Sequence, residues 1–137
     1  MTPPFLLDTS GLLAHYRGEA GHEIVAQAFE DHAGAVFTSA IVWLEFQIRL
    51  KDITPDPAQR AEALSIYQEL LSDCLPVTLA TAQLAFKIRE ATPTRLPNSD
   101  ALIAATASMK GATLIHRDPH FLPIPSSMLS QAALPQK

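Results

Sequence analysis

The chain has 137 residues, 47% of them hydrophobic and 18% charged, with a formal net charge of −4. That length is enough to bury one sizeable core, and the composition is that of an ordinary soluble globular domain. No apolar run approaches a membrane span, Met1-Thr2-Pro3-Pro4 lacks the basic start of a signal peptide, and Cys74 as the only cysteine excludes an internal disulfide, so a reducing, cytoplasmic setting fits. The acidic balance excludes nucleic-acid binding through a broad basic face, but not through metal ions or a few arginines.

In chain order, Pro4-Phe5-Leu6-Leu7-Asp8 reads as a short apolar strand ending in an acid, followed by Thr9-Ser10-Gly11 as turn and cap and by a short helix over Leu12–Tyr16 that stops near Gly18. A second helix begins near Gly21-His22, with Ile24, Val25, Ala28 and Phe29 on one face. Ala35-Val36-Phe37 is a second strand, and Thr38 or Ser39 caps a helix in which Ile41, Leu44, Glu45 and Ile48 share a face. A glutamate inside an apolar stripe contradicts simple core packing and calls for a partner. After the turn at residues 53–57, Pro57 suits a first helical position; Leu64, Tyr67, Leu71 and Cys74 mark that helix's buried side, and Ala63, Ile66 and Leu70 widen the stripe enough to suggest contact with a second subunit. Leu75-Pro76-Val77 fits an edge strand, and a further helix runs from Thr78 or Thr81 to Arg89.

The rigid loop Thr92–Pro97 leads into Asn98-Ser99-Asp100-Ala101-Leu102-Ile103-Ala104-Ala105-Thr106-Ala107-Ser108, a helix with one carboxylate in its first turn. Asn98 or Ser99 can cap it, and the small residues Ala101, Ala104, Ala105 and Ser108 let it lie close to a neighbour. Gly111 ends it, residues 112–115 form a buried strand, and His116-Arg117-Asp118-Pro119-His120 leaves the sheet. Leu122-Pro123-Ile124 suits a last edge strand. The expected organisation is one domain over residues 1–125 and a loosely ordered tail over 126–137.

Short strands alternating with helices imply a three-layer α/β/α arrangement around a short parallel sheet, with any site beyond the carboxyl ends of the strands. Asp8 ends the first strand and Asp118 follows the 112–115 strand, while Glu45 lies about one and a half turns into its helix and Asp100 opens another. Four acids thus converge on one edge. A like-charge pair at about 4 Å and an effective dielectric of about 20 costs roughly 4 kcal/mol, so the cluster needs protons, basic partners or metal. No basic residue is an obvious internal partner, and all-oxygen ligation suits Mg²⁺ or Mn²⁺, ions that activate water and polarise phosphoryl oxygens. The reaction class that follows is phosphodiester hydrolysis, with no candidate nucleophile: Cys74 falls in an apolar stripe and Ser10 has no obvious paired base.

Leu6-Leu7-Asp8-Thr9-Ser10, Trp43-Leu44-Glu45-Phe46, Asn98–Ala107 and His116-Arg117-Asp118-Pro119-His120-Phe121 resemble, in order, the motifs of PIN domains, and within them the compact VapC-type ribonuclease toxins of bacterial toxin–antitoxin modules. The resemblance spans nearly the whole chain. It implies a PIN-like fold, Mg²⁺ or Mn²⁺ as cofactor, endonucleolytic cleavage of RNA, an antitoxin partner with a basic segment, and a homodimer. It carries the acidic quartet onto Asp8, Glu45, Asp100 and Asp118 as catalytic and metal-binding residues, with Thr9 or Ser10 hydrogen-bonding a carboxylate or a metal-bound water. It departs from the family at His116, which stands where a threonine or serine is usual; its imidazole would orient a carboxylate, contact substrate or weaken the usual hydrogen bond.

His116, Asp118 and His120 alternate, so an extended segment would aim all three one way as a transition-metal site; a turn at Asp-Pro-His with solvated imidazoles is the simpler reading. A receiver domain wants adjacent acids after its first strand and a late lysine, and a dinucleotide-binding unit wants a glycine-rich turn there; neither is present. The non-enzymatic alternative is an inactive PIN scaffold that binds RNA or a protein partner.

Overall fold

The computed structural model describes all 137 residues. Its centre is a five-stranded, fully parallel sheet of β1 (Phe5–Leu7), β2 (Val36–Ser39), β3 (Asp73–Leu75), β4 (Thr113–His116) and β5 (Ser130–Ala133), in the spatial order β3-β2-β1-β4-β5. Helices α1 (Thr9–Arg17), α2 (His22–Asp31), α3 (Ala40–Ile53), α4 (Pro57–Leu70), α5 (Leu79–Ala91) and α6 (Asn98–Lys110) flank it, as the alternating pattern of the sequence requires. The strands buried on both faces read as continuous apolar runs: Phe5, Leu6 and Leu7 of β1, and Leu114 and Ile115 of β4, are almost wholly buried. Strand order reverses at β1, which pairs with β2 on one side and β4 on the other. The crevice at the carboxyl ends of β1 and β4 is therefore the natural position for a site.

Local chemistry sets the helix starts. Asp8 caps α1 through Gly11 N–H, Ser39 caps α3 through Val42 N–H, Asp56 caps α4 ahead of Pro57, and Thr78 and Thr81 form a reciprocal capping box on α5. Gly18 and Gly111 end α1 and α6 in the left-handed conformation. At α6 neither Asn98 nor Ser99 caps; Pro97 occupies that position without a side-chain bond, and Asn98 instead accepts from Arg89. The alanines at 101, 104, 105 and 107 are buried, so α6 packs closely on its neighbours as its small residues predict.

The face of α3 that carries Glu45 is open to solvent, with Leu44 and Ile48 more than half exposed, while Val42, Phe46 and Leu50 face the core, in keeping with the expectation that a glutamate in that stripe contradicts simple core packing. Four expectations are corrected. Helix α4 ends at Leu70, and Cys74 lies exposed in β3 rather than on its buried side. That strand sits two residues earlier than expected, because Ser72 already pairs with Val36 in both directions and Pro76 cannot donate to a ladder. Leu122–Ile124 is a turn following a single 3₁₀ turn at Pro119–Phe121, with Phe121 and Ile124 pointing into the core. The fifth strand comes instead from the region expected to be a loose tail: Ser130–Ala133 pairs in register with Thr113–His116, and buried Leu129 and Leu134 bracket it. Ser-Gln-Ala-Ala has little strand propensity of its own; the free edge of β4 and the two flanking leucines supply the reason.

One close contact fixes the geometry near the crevice. A Cβ on Gly11 would lie 2.9 Å from the carbonyl oxygen of Ile115. The Gly11→Ala variant should therefore lose about 1–3 kcal/mol, the range for overpacking a rigid interior, and equilibrium urea unfolding measures it.

Candidate active site

The first turn of α1, the middle of α3, the head of α6 and the loop after β4 meet in one cleft of about 410 Å³. Asp8, Glu45, Asp100 and Asp118 all line it, together with Thr9 and Ser10. Asp8 lies at the carboxyl end of β1 with its backbone N–H on the carbonyl of Ile115, so the β1–β4 pairing holds it in place. Its Oδ1 accepts from Gly11 N–H at 2.8 Å and from the Ser10 hydroxyl at 2.7 Å. Thr9 turns the other way and donates to Glu45 Oε1 at 2.6 Å, which accounts for a glutamate on α3 reaching toward β1. Both hydroxyl residues singled out in the sequence thus hold a carboxylate.

Asp118 Oδ1 accepts from His120 N–H at 2.9 Å, closing a small turn. The Nδ1 of His120 approaches Asp118 Oδ1 to 2.9 Å and Asp100 Oδ2 to 3.4 Å. The Asp-Pro-His segment is a turn with an exposed His120 imidazole, as the simpler reading holds, and that imidazole rests against two carboxylates at the edge of the cleft. The three residues His116, Asp118 and His120 do not converge. His116 is fully buried, its Nδ1 accepts the Asp118 N–H at 3.1 Å, and its Nε2 lies 2.8 Å from Gln131 Oε1. Since a backbone N–H occupies Nδ1, the proton belongs on Nε2, where it donates to Gln131. Burial lowers the His116 pKa, in keeping with this neutral form. His116 therefore grips the backbone of Asp118 and ties it to β5, and reaches neither a carboxylate nor the open cleft.

Arg117 escapes a reading of the sequence. Its N–H donates to Ser10 Oγ at 2.8 Å, extending the chain Arg117–Ser10–Asp8. Its guanidinium is buried and donates to the carbonyls of Pro135 and Ala20 and to Glu19 Oε1. Those partners lie 97 or more residues from it or in the last few residues of the chain, so no local pattern announces them.

The electrostatics show an unneutralised cluster. Burial drives Asp8 from 3.8 up to about 7 against its hydrogen bonds to Ser10 and Gly11, and the charges of Asp118 and Asp100 push the same way. Asp100 rises to about 7 through burial first, then repulsion from Asp118 and Glu45, with His120 opposing. It caps no helix end, although it lies in the first turn of α6. Cys74 lies outside the cleft, and partial burial and Asp73 raise its thiol, which leaves no activated nucleophile there.

Fold and site together define a class: a parallel α/β domain with a four-carboxylate cleft at the point where strand order reverses. The family model for the PIN domain matches residues 5–125, and the chain belongs to that family. No curated protein matches the sequence. Among solved structures, the fold resembles VapBC2 from Rickettsia felis bound to a promoter DNA fragment, with a TM-score of 0.75 and 20% identity over 96% of this chain and 98% of that one. DNA-bound VapBC from Salmonella typhimurium is similar at a TM-score of 0.75 and 18% identity, again over 96% and 98%. VapC20 of Mycobacterium tuberculosis, a sarcin–ricin loop cleaving toxin, is similar at 0.66 and 21%, over 85% of this chain and 92% of that one.

Carboxyl groups raised in the folded state favour folding at low pH. Their contribution is complete below the unfolded value near 3.8 and is lost as pH rises through about 7. In chelator, the melting temperature of wild type relative to Asp100→Asn should therefore fall between pH 5 and pH 8, a trend that paired thermal melts across that range will detect.

Proposed function

We propose that this PIN-domain protein is a divalent-metal-dependent endoribonuclease and the toxin of a toxin–antitoxin pair. The observation that carries the reading is the cleft itself: Asp8 and Asp100, both buried, held at raised pKa with no lysine or arginine paired to either, beside Glu45 and Asp118. A buried cluster of like charges costs stability unless a cation joins it, and a donor set of carboxylate oxygens fits Mg²⁺ or Mn²⁺. When bound, such an ion supplies a Lewis acid at a phosphoryl oxygen and neutralises charge on the leaving oxygen. Asp8, Asp100 and Asp118 are the residues that would hold it, with Glu45 completing the quartet.

The chain's own part is positioning. Ser10 and the Gly11 N–H both bind Asp8 Oδ1, which leaves Oδ2 free of protein donors, and Thr9 fixes Glu45 by one oxygen in the same way. His116 and Arg117 hold the backbone on which Asp118 stands. His120 rests against Asp100 and Asp118, so arrival of a cation requires the imidazole either to withdraw or to add a nitrogen donor. The quartet carries the same four acids that the sequence motifs single out, and this argues for an enzyme over an inactive scaffold.

The similarity to VapBC assemblies supports a protein antitoxin, whose basic segment would meet the acidic cleft; arginine binds carboxylates in a bidentate fork. Uncovered Leu44, Ile66, Leu70, Leu79 and Phe86 on α3, α4 and α5 support a homodimer. No helix is long and apolar enough to cross a membrane, in keeping with the cytoplasmic setting proposed from the sequence.

Purified protein should cut single-stranded or loop RNA in Mg²⁺ or Mn²⁺ and stop in EDTA; cleavage that survives exhaustive chelation would overturn the mechanism. The Asp100→Asn substitution separates a ligand from a structural residue. In EDTA the variant should melt at or above wild type. At metal one hundred times the dissociation constant, wild type should gain about 2.7 kcal/mol and the variant much less, with cleavage reduced roughly a hundredfold or more.

A further inference from the structure

We propose that Arg49 and Arg17 form a phosphate track that leads away from the carboxylate quartet along the groove between α1 and α3, and binds the phosphates of the RNA strand on one side of the bond to be cut. The inference rests on the ribonuclease reading and names the residues that hold substrate beyond the reacting phosphate.

The cleft has two poles. Its 14 lining residues include four of the chain's ten lysines and arginines, a concentration that a protein of net charge −4 has no need to build beside an acidic cluster. Two of the four have structural work. Arg117 is buried on the carbonyls of Pro135 and Ala20, and Lys137 pairs with Glu19 at 3.0 Å. The other two face the opening. Arg49 is exposed and makes no side-chain hydrogen bond or ion pair, and Arg17 touches Glu19 only at 3.6 Å, on a carboxylate that Arg117 and Lys137 already share.

Their spacing follows the helices. Thr9, Leu13 and Arg17 recur every four residues on α1, as Glu45 and Arg49 do on α3, so each helix presents an acidic-site residue and an arginine on one face. At a rise of about 1.5 Å per residue, Arg49 lies about 6 Å along α3 from Glu45, and Arg17 about 12 Å along α1 from Thr9. Phosphates recur about every 3.4 Å along a stacked strand and farther apart when bases are splayed, so these steps match the next few nucleotides. Leu13 and Ile48 form the groove between them. This gives the exposed Ile48 a place in the site: its side chain offers an apolar surface to an unstacked base.

The test compares wild type with Arg49→Ala, Arg17→Ala and the double variant, and with Lys87→Ala as a control on the exposed side of α5, outside the cleft. Cleavage of a single-stranded RNA oligonucleotide in Mg²⁺ is read as KM and kcat at several salt concentrations, and binding of a fluorescent copy is read by anisotropy. Each arginine variant should raise KM roughly five- to tenfold at unchanged kcat, and flatten the slope of log(kcat/KM) against log salt by about 0.7, with the double variant additive and the control unchanged. Arg49→Lys should keep the slope. An unchanged KM and slope in the double variant overturns the proposal, and so does a loss confined to kcat, which would place the arginines at the reacting phosphate. If wild type proves not to cut RNA, the enzyme reading fails, but anisotropy still decides the track: weaker binding by the arginine variants supports it, and equal or absent binding overturns it.

Discussion

Everything in the cleft depends on holding Asp8, a carboxylate, inside the sheet's own carboxyl edge. The side chain is buried at the end of β1, whose own residues are wholly apolar, and it is kept there by Gly11 N–H and the Ser10 hydroxyl on Oδ1, with the Arg117 N–H behind Ser10. Desolvation works against the charge and those hydrogen bonds work for it, and burial is the larger effect. The protein thus carries an ion whose solvation is incomplete at the very place where strand order reverses. Such an arrangement destabilises a fold unless something else in the cell completes it.

Each of the other acids is delivered by a different device. Glu45 reaches the cleft from an open helix face through a hydroxyl on α1. Asp100 sits at the head of a helix whose alanines permit close packing, free of any capping duty. Asp118 is set by its backbone, which the buried His116 grips through Nδ1 while Gln131 on β5 takes the other nitrogen. Where a hydroxyl is usual in the family, a neutral imidazole spans a longer gap and couples the loop to a neighbouring strand. The substitution changes what the loop leans on without removing the support.

The sequence made the quartet legible because each acid sits at a junction between elements, where periodicity and punctuation are strongest: a strand end, a helix head, a strand exit. At Glu45 the sequence shows that a partner is needed but not which one, since Thr9 lies 36 residues away and the exposure of Leu44 and Ile48 is not readable from hydrophobicity alone. The strand at Ser130–Ala133 was hidden because its residues carry no strand signal and exist as a strand only beside β4. Arg117 and His120 read as loop residues, because their partners are distant in sequence or belong to a turn whose direction the pattern does not give. The Glu45–Arg49 spacing, by contrast, is a local signal that points to the basic end of the groove.

The parallel strand β5 has a consequence for how the protein comes into being on the ribosome. Leu134 N–H bonds the carbonyl of His116, Pro135 accepts from Arg117, and Gln131 holds the His116 ring. Asp118 therefore receives its full support only when residues 130–135 have emerged from the exit tunnel. Until then the nascent chain carries every acid of the cleft but lacks the strand that sets one of them. A partner protein that recognises the finished groove would thus meet its target only after synthesis has passed this point, and the site cannot be assembled ahead of its own last strand.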